Sequence, residues 1–195
     1  KLYSKENLES ENQARTLTFF LQTGFIILSF TASLWAKEIF KILINNEDLS
    51  GVYYIAIIII MGYSYRPMYW ASINKLFYIE KTNQLWKVSF IGGISNICLN
   101  LVFIPIYGFE AAAVTTLISL LYIGFAGFFL KDYKENNNVN YFPMRWLIAI
   151  LISTIIVYLL KDVSILYKSL ITLGVIISFV LYFIKNKKKL KSIEI

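Results

Sequence analysis

The chain has 195 residues, of which 57% are hydrophobic and only 16% are charged. Soluble domains usually carry about 25% charged residues, so this composition excludes an ordinary soluble domain, and its high content of Ile, Leu, Phe and Tyr excludes a disordered chain. The net charge is +7, and the absence of His together with the single cysteine, Cys98, excludes a His/Cys metal site, a disulfide and a Cys/His catalytic pair.

Six stretches of the chain contain no Asp, Glu, Lys or Arg and are strongly apolar. In chain order they are residues 16–36, 49–65, 88–109, 111–130, 146–160 and 169–184. A bilayer core takes about 20 helical residues, and the last two stretches are shorter. Arg145, Lys161, Lys168 and Lys185 flank these two with side chains long enough to reach the headgroups. We therefore predict an all-α membrane protein with six transmembrane helices; a re-entrant or interfacial hairpin is the alternative for the last two.

The distribution of basic residues predicts the orientation of these helices. Fourteen Lys and Arg residues lie in the segments on one side of the six predicted helices and four on the other, and positively charged loops stay cytoplasmic. Both ends of the chain are therefore predicted to be cytoplasmic. The lysines between residues 185 and 191 are interpreted as a topology anchor, with attraction of membrane lipids as the alternative. This placement accounts for the net charge, so no nucleic-acid partner is expected.

Arg66 is the charged residue that is most costly to place. It lies about halfway along the second predicted helix, 52–78, and a charge at the bilayer centre costs on the order of 3 kcal/mol unless it faces a bundle interior or a water-filled cavity. Pro67 follows and predicts a kink, while Tyr69 shares the helical face of Arg66. Arg66 and Tyr69 are therefore candidates for a cavity that binds an anionic substrate; the alternative is an arginine that reaches the headgroups.

Polar residues in the other predicted helices are amides and hydroxyls. Asn96 and Asn100 share a face of the third predicted helix with Ser89, and amides in lipid need polar partners, so this face either packs against another helix or lines a polar cavity. Asn96 and Asn100 are the candidates for the cavity, and Gln22 in the first helix is interpreted in the same way. Because Glu110 falls in a turn, none of these helices carries an acid, and a proton or sodium relay is not expected.

Motifs for covalent chemistry are absent from the sequence. It contains no phosphate-binding loop, no nucleophile elbow and no paired-glycine dinucleotide loop. We therefore expect a protein that is not an enzyme, with no cofactor and no metal.

A succession of short motifs begins at Tyr69. It continues with Asn74-Lys75, Lys81-Thr82, the run Asn96-Ile97-Cys98-Leu99-Asn100, the turn Ile104-Pro105-Ile106-Tyr107-Gly108 and the run Ala111-Ala112-Ala113-Val114-Thr115-Thr116. Pro105 and Gly108 are expected to end one helix before the alanine run begins the next. The succession resembles the polysaccharide biosynthesis flippases, the O-antigen and capsule oligosaccharide translocases of the multidrug/oligosaccharidyl-lipid/polysaccharide exporter superfamily. Ala111 departs from the glycine, and Thr115 from the alanine, that the family usually has there.

The resemblance, specific over about residues 69–120, implies a six-helix lobe that is the second half of a two-lobe transporter. Such a protein moves an undecaprenyl-pyrophosphate-linked oligosaccharide across the bacterial plasma (inner) membrane for surface polysaccharide synthesis. Residues 1–15 would be the cytoplasmic loop between the lobes, 16–185 the lobe and 186–195 a basic cytoplasmic tail, and the partners would be the lipid-linked oligosaccharide and the N-terminal lobe of the same protein. The open alternatives are a drug or metabolite antiporter of the superfamily and a small structural or assembly subunit of a membrane complex.

Overall fold

A computed structural model of the chain describes residues 8–46 and 50–191, and these residues form helices and no strand. The helices are α1 (Leu8–Leu34), α2 (Ala36–Leu43), α3 (Tyr53–Gly62), α4 (Arg66–Tyr78), α5 (Leu85–Tyr107), α6 (Glu110–Ala126), α7 (Lys131–Asn136), α8 (Pro143–Leu159) and α9 (Ile165–Lys191). Single 3₁₀ turns at Tyr63–Tyr65, Thr82–Gln84 and Gly127–Phe129 adjoin them. The all-α prediction is therefore confirmed for the part of the chain that is described.

Four helical stretches are long and apolar enough to cross a membrane. They are Leu8–Leu34, Thr82–Tyr107, Glu110–Phe129 and Ile165–Lys187, and α8 is a shorter apolar helix. The second predicted helix is instead divided into α3 and α4, because Pro67 has no amide hydrogen and a 3₁₀ turn precedes it. These apolar helices are consistent with a multi-pass membrane protein.

Helix α6 lies at the centre of the bundle, and half of its span is buried. It packs against α3, α4 and α5, while α1 packs against α3, α4, α8 and α9. Helices α5 and α9 are peripheral, since α5 packs mainly on α6 and α9 on α1, and only 6% of each span is buried. Most of the apolar surface of α5 and α9 is therefore free to contact lipid or protein.

Gly124 near the end of α6 and Gly127 directly after it permit close contact with the Tyr63–Tyr65 turn and with α4. A Cβ atom added at Gly124 would lie 2.4 Å from Cδ2 of Tyr65, and one added at Gly127 would lie 2.5 Å from Oγ of Ser72. Distances this short leave no room for a side chain, so the small-residue contact sets how closely the helices approach.

Two sets of polar contacts define the two ends of the bundle. At one end, which includes the end of α4 and which we name the basic end, Lys75 donates to the carboxylate of Glu11 at 2.6 Å. The second oxygen of Glu11 accepts from the backbone amide of Asn138. At the opposite end, the Asp162 end, Lys37 pairs with Asp162, and Lys168 donates to both carboxylate oxygens of Glu38 at 2.9 Å.

Several features differ in detail from the sequence-based expectations. Lys168 was expected to reach toward the headgroups, but its side chain is fully buried, because the Glu38 carboxylate compensates its charge inside the bundle. Pro105 lies within α5, and the helix ends before Gly108, whose φ of +76° is accessible to glycine at little cost.

Helix α1 begins at Leu8, within the predicted loop, and α9 continues to Lys191, within the predicted tail. Residues 1–7, 47–49 and 192–195 of the predicted segments lie outside the described residues.

Candidate functional site

The break between α3 and α4 is held by a side chain from α1. In a continuous α-helix the amide of Met68 would donate to the carbonyl of Ser64, four residues earlier. Here the side-chain amide of Gln22 stands between them: its nitrogen donates to the Ser64 carbonyl at 2.8 Å and its oxygen accepts from the Met68 amide at 3.3 Å. Gln22 is fully buried. One side chain thus satisfies both backbone groups that the break leaves without a helical partner.

Arg66 begins α4 directly after this break and is exposed. Its guanidinium lies 5.2 Å from the ring centroid of Tyr63, and its backbone amide donates to the carbonyl of the same residue. Trp70 is exposed one helical turn further on, with its ring edge-on to Phe25 of α1. We name the exposed surface of Tyr63, Arg66 and Trp70 the Arg66 face. No described carboxylate forms an ion pair with Arg66.

Tyr69, the second candidate, is only partly exposed. Its ring packs edge-on against Tyr65 with a centroid distance of 5.8 Å, and it borders a narrow space shared with Ser72 and Ser89. Tyr69 is therefore turned more toward the protein than Arg66 is, although the two residues are three positions apart.

Asn96 and Asn100 join α5 to α6. Asn96 donates to Oγ1 of Thr116 at 3.3 Å, Asn100 donates to the side-chain oxygen of Asn96 at 2.8 Å, and the hydroxyl of Thr115 donates to Asn100. The network joins the two helices, and packing against another helix is one of the two roles that the sequence allowed for these asparagines. No described hydrogen bond, ion pair or ring contact joins either asparagine to Arg66.

A pocket of about 450 Å³ opens near the Asp162 end, between α3, α5, α6 and the end of α8. Its polar groups include Glu110, whose carboxylate accepts from the hydroxyl of Tyr54, and the hydroxyl of Tyr158. The remaining lining includes the aromatic residues Phe103 and Tyr107 and several aliphatic residues of α3 and α6. Tyr107, Ala111 and Thr115 belong to the motifs of residues 104–116, but the sequence did not predict this pocket because its other residues come from helices far apart along the chain.

Asp162 links three elements at the same end. It accepts hydrogen bonds from Lys37 of α2 and from the Tyr53 hydroxyl of α3, the latter at 2.6 Å. These bonds, that of Lys37 first, lower the pKa of Asp162 from 3.8 to about 2. The carboxylate therefore holds α2 and α3 to the connection between α8 and α9 at any ordinary pH.

Within residues 8–46 and 50–191, no group of three or more His, Cys, Asp or Glu side chains is placed to hold a metal ion. Comparisons of the chain with protein-family models, with curated proteins and with solved structures find no match. The resemblance of residues 69–120 to the flippases therefore stays a prediction, and the functional argument rests on the Arg66 face.

Proposed function

We propose that this chain is the second six-helix lobe of a flippase that moves an undecaprenyl-pyrophosphate-linked oligosaccharide across the bacterial plasma membrane. In this proposal α3 and α4 together form one span, α8 forms another, and both ends of the chain are cytoplasmic. The observation that carries the proposal is the exposed position of Arg66, without an ion-pair partner among the described carboxylates, at the junction of the two helices that we propose to form one span.

The depth of Arg66 supports a polar ligand rather than lipid on this face. At about 1.5 Å per residue, Arg66 lies about 20 Å along the helix from Tyr53 and about 18 Å from Tyr78. A guanidinium at that depth costs on the order of 3 kcal/mol or more if it faces hydrocarbon. The break at Pro67 places irregular backbone at the same level, which membrane proteins tolerate where the chain lines a cavity or is covered by protein.

The chemistry of the Arg66 face suits a diphosphate that carries sugars. A guanidinium presents paired N–H donors that match phosphate oxygens, and these charge-assisted bonds are stronger in a low-dielectric cavity than in water. The N-terminal lobe would cover this face and complete the cavity. In this arrangement Tyr69 is a second, less exposed contributor, while Asn96 and Asn100 hold the α5–α6 hairpin that forms the wall.

The test is replacement of Arg66 in the full protein, with surface polysaccharide and protein level measured in the same cells. Arg66→Ala should abolish surface polysaccharide at unchanged protein level, and Arg66→Lys should retain part of it, because the charge is kept and the paired donors are lost. Lys87→Ala removes an exposed cation at the basic end and serves as the matched control, with no expected change. Normal export by Arg66→Ala would refute the proposal.

A further inference from the structure

A groove of about 260 Å³ lies at the basic end, between the start of α1 and the end of α9. Its walls include Arg15 and Phe20 of α1, Tyr182 and Asn186 of α9, and Phe142, which precedes α8. We name this space the α1–α9 groove. It is at the opposite end of the bundle from the pocket near the Asp162 end, and it does not include any residue of the Arg66 face.

Three independent boundaries in the sequence place this groove at the depth of the lipid headgroups. The apolar stretch of α1 starts directly after Arg15, that of α8 starts directly after Arg145, and that of α9 ends directly before Lys185. Arg15 and Asn186, the neighbour of Lys185, both line the groove. The boundary of the apolar stretch of α1 therefore lies at the same level of the bundle as that of α9. Charged and aromatic side chains at this level face the polar part of a bilayer.

The polar lining of the groove favours an anion. None of the described residues that line it is acidic, and Arg15 forms no ion pair with a described carboxylate. The side-chain nitrogen of Asn186 donates one hydrogen to the carbonyl of Tyr182 at 2.9 Å and retains a second. Arg15, that remaining hydrogen and the Tyr182 hydroxyl are the donors that a phosphate group requires.

The membrane side of the groove is aromatic. The ring of Phe20 lies 5.5 Å from that of Phe179 and 5.6 Å from that of Phe183, which gives a continuous apolar surface below the polar lining. At the mouth, Phe142 has a left-handed backbone with φ of +49°, maintained by a hydrogen bond from its amide to the side chain of Asn140. A residue other than glycine in this conformation is strained, and such strain concentrates at binding sites.

We propose that the α1–α9 groove binds the phosphate headgroup of an anionic phospholipid, with an acyl chain against the aromatic surface below it. The two halves of the groove match the two halves of that ligand. Above are neutral donors and Arg15, which pairs with no described carboxylate, and below are aromatic rings. Basic pockets between transmembrane helices are a recurrent form of anionic lipid site. The proposal does not depend on the function of the Arg66 face.

The experiment measures lipid binding to the full protein in detergent by native mass spectrometry. Phosphatidylglycerol is the anionic probe, phosphatidylcholine the zwitterionic comparison and soluble glycerol phosphate the competitor without acyl chains. Arg15→Gln removes the cation from the groove, and Arg15→Lys keeps the charge. Lys185→Gln is the matched control, because it removes an exposed charge at the same depth that does not line the groove.

Arg15→Gln should weaken phosphatidylglycerol binding about tenfold or more and phosphatidylcholine binding by less, because the choline cation offsets the phosphate charge that Arg15 would bind. Lys185→Gln should weaken it about threefold or less, and Arg15→Lys should fall between the two. Equal losses in Arg15→Gln and Lys185→Gln would show general attraction to the basic tail and overturn the proposal. Competition by glycerol phosphate, or equal affinity for both lipids, would overturn it as well. Because Arg15→Lys retains the charge, it keeps the test decisive if Arg15→Gln fails to fold.

Discussion

Replacing Gln22 with leucine removes the side chain that bridges the break between α3 and α4. The change keeps the side chain near its original size and deletes two hydrogen bonds, to the Ser64 carbonyl and the Met68 amide, at a fully buried position. Hydrogen bonds between membrane helices contribute about 0.6 kcal/mol on average and about 1.7 kcal/mol at most. The two bonds together therefore predict a loss of about 1 to 3 kcal/mol.

The assay is the free energy of unfolding of the full protein in detergent, followed by helical circular dichroism during denaturant titration. Thr23→Val is the matched control, because Thr23 is the next residue of the same helix and its hydroxyl bonds only to the Phe19 carbonyl of α1 at 2.8 Å. This variant should change stability by about 0.5 kcal/mol or less. If Gln22→Leu lies within that margin of the control, the bridge does not stabilise the break and the reasoning fails.

Three further predictions concern helix contact, a buried ion pair and pH. Gly124→Ala should destabilise the protein by about 1 to 3 kcal/mol, because the new Cβ would lie 2.4 Å from the ring of Tyr65. The control is Gly174→Ala, whose Cβ would meet open space and should be tolerated. Thermal unfolding of the two variants distinguishes them. Glu11→Gln should cost about 3 to 5 kcal/mol, because it removes the carboxylate that pairs with the buried Lys75. The double variant Glu11→Gln/Lys75→Met should recover part of this loss in the same assay. The pKa of Asp162 is lowered from 3.8 to about 2, so its stabilising contribution is complete above about pH 5 and is lost as the pH falls toward 2. The melting temperature of Asp162→Asn should not show this fall below about pH 5. If the melting temperatures of the wild type and of Asp162→Asn depend on pH in the same way, the assignment is contradicted.

The helices themselves were predictable to a large extent because the signals for them are local. Uninterrupted apolar stretches predicted helices that the structure contains. Pro67 predicted a kink at the position where the structure separates α3 from α4, since a residue without an amide hydrogen disrupts a helix in any tertiary context. The exact ends of α1 and α9 were less predictable, because polar residues such as Glu9 and Lys187 occur both within helices and in the loops beside them.

The candidate site was predictable only in part. An arginine in the middle of an apolar helix is recognisable from the sequence, but its exposure depends on which sides of α4 are covered by α1 and α6. Gln22 was recognisable as a polar residue in an apolar helix, but its two partners lie more than forty residues away along the chain. The amides of Asn96 and Asn100 were compatible with a cavity or with helix packing, and only the positions of the α6 threonines assign them to packing.

The sequence alone therefore determined what depends on single residues and on their neighbours along the chain: apolar helices, their breaks and the uneven distribution of basic charge. Tertiary structure decided which polar groups are compensated and which are left available. Lys75, near the end of the second predicted helix, and Lys168 are buried in ion pairs, whereas Arg66 and Arg15 pair with none of the described carboxylates. The physical reason is that compensation of a charge requires a partner within a few ångströms in space, and those partners come from helices far apart in the chain.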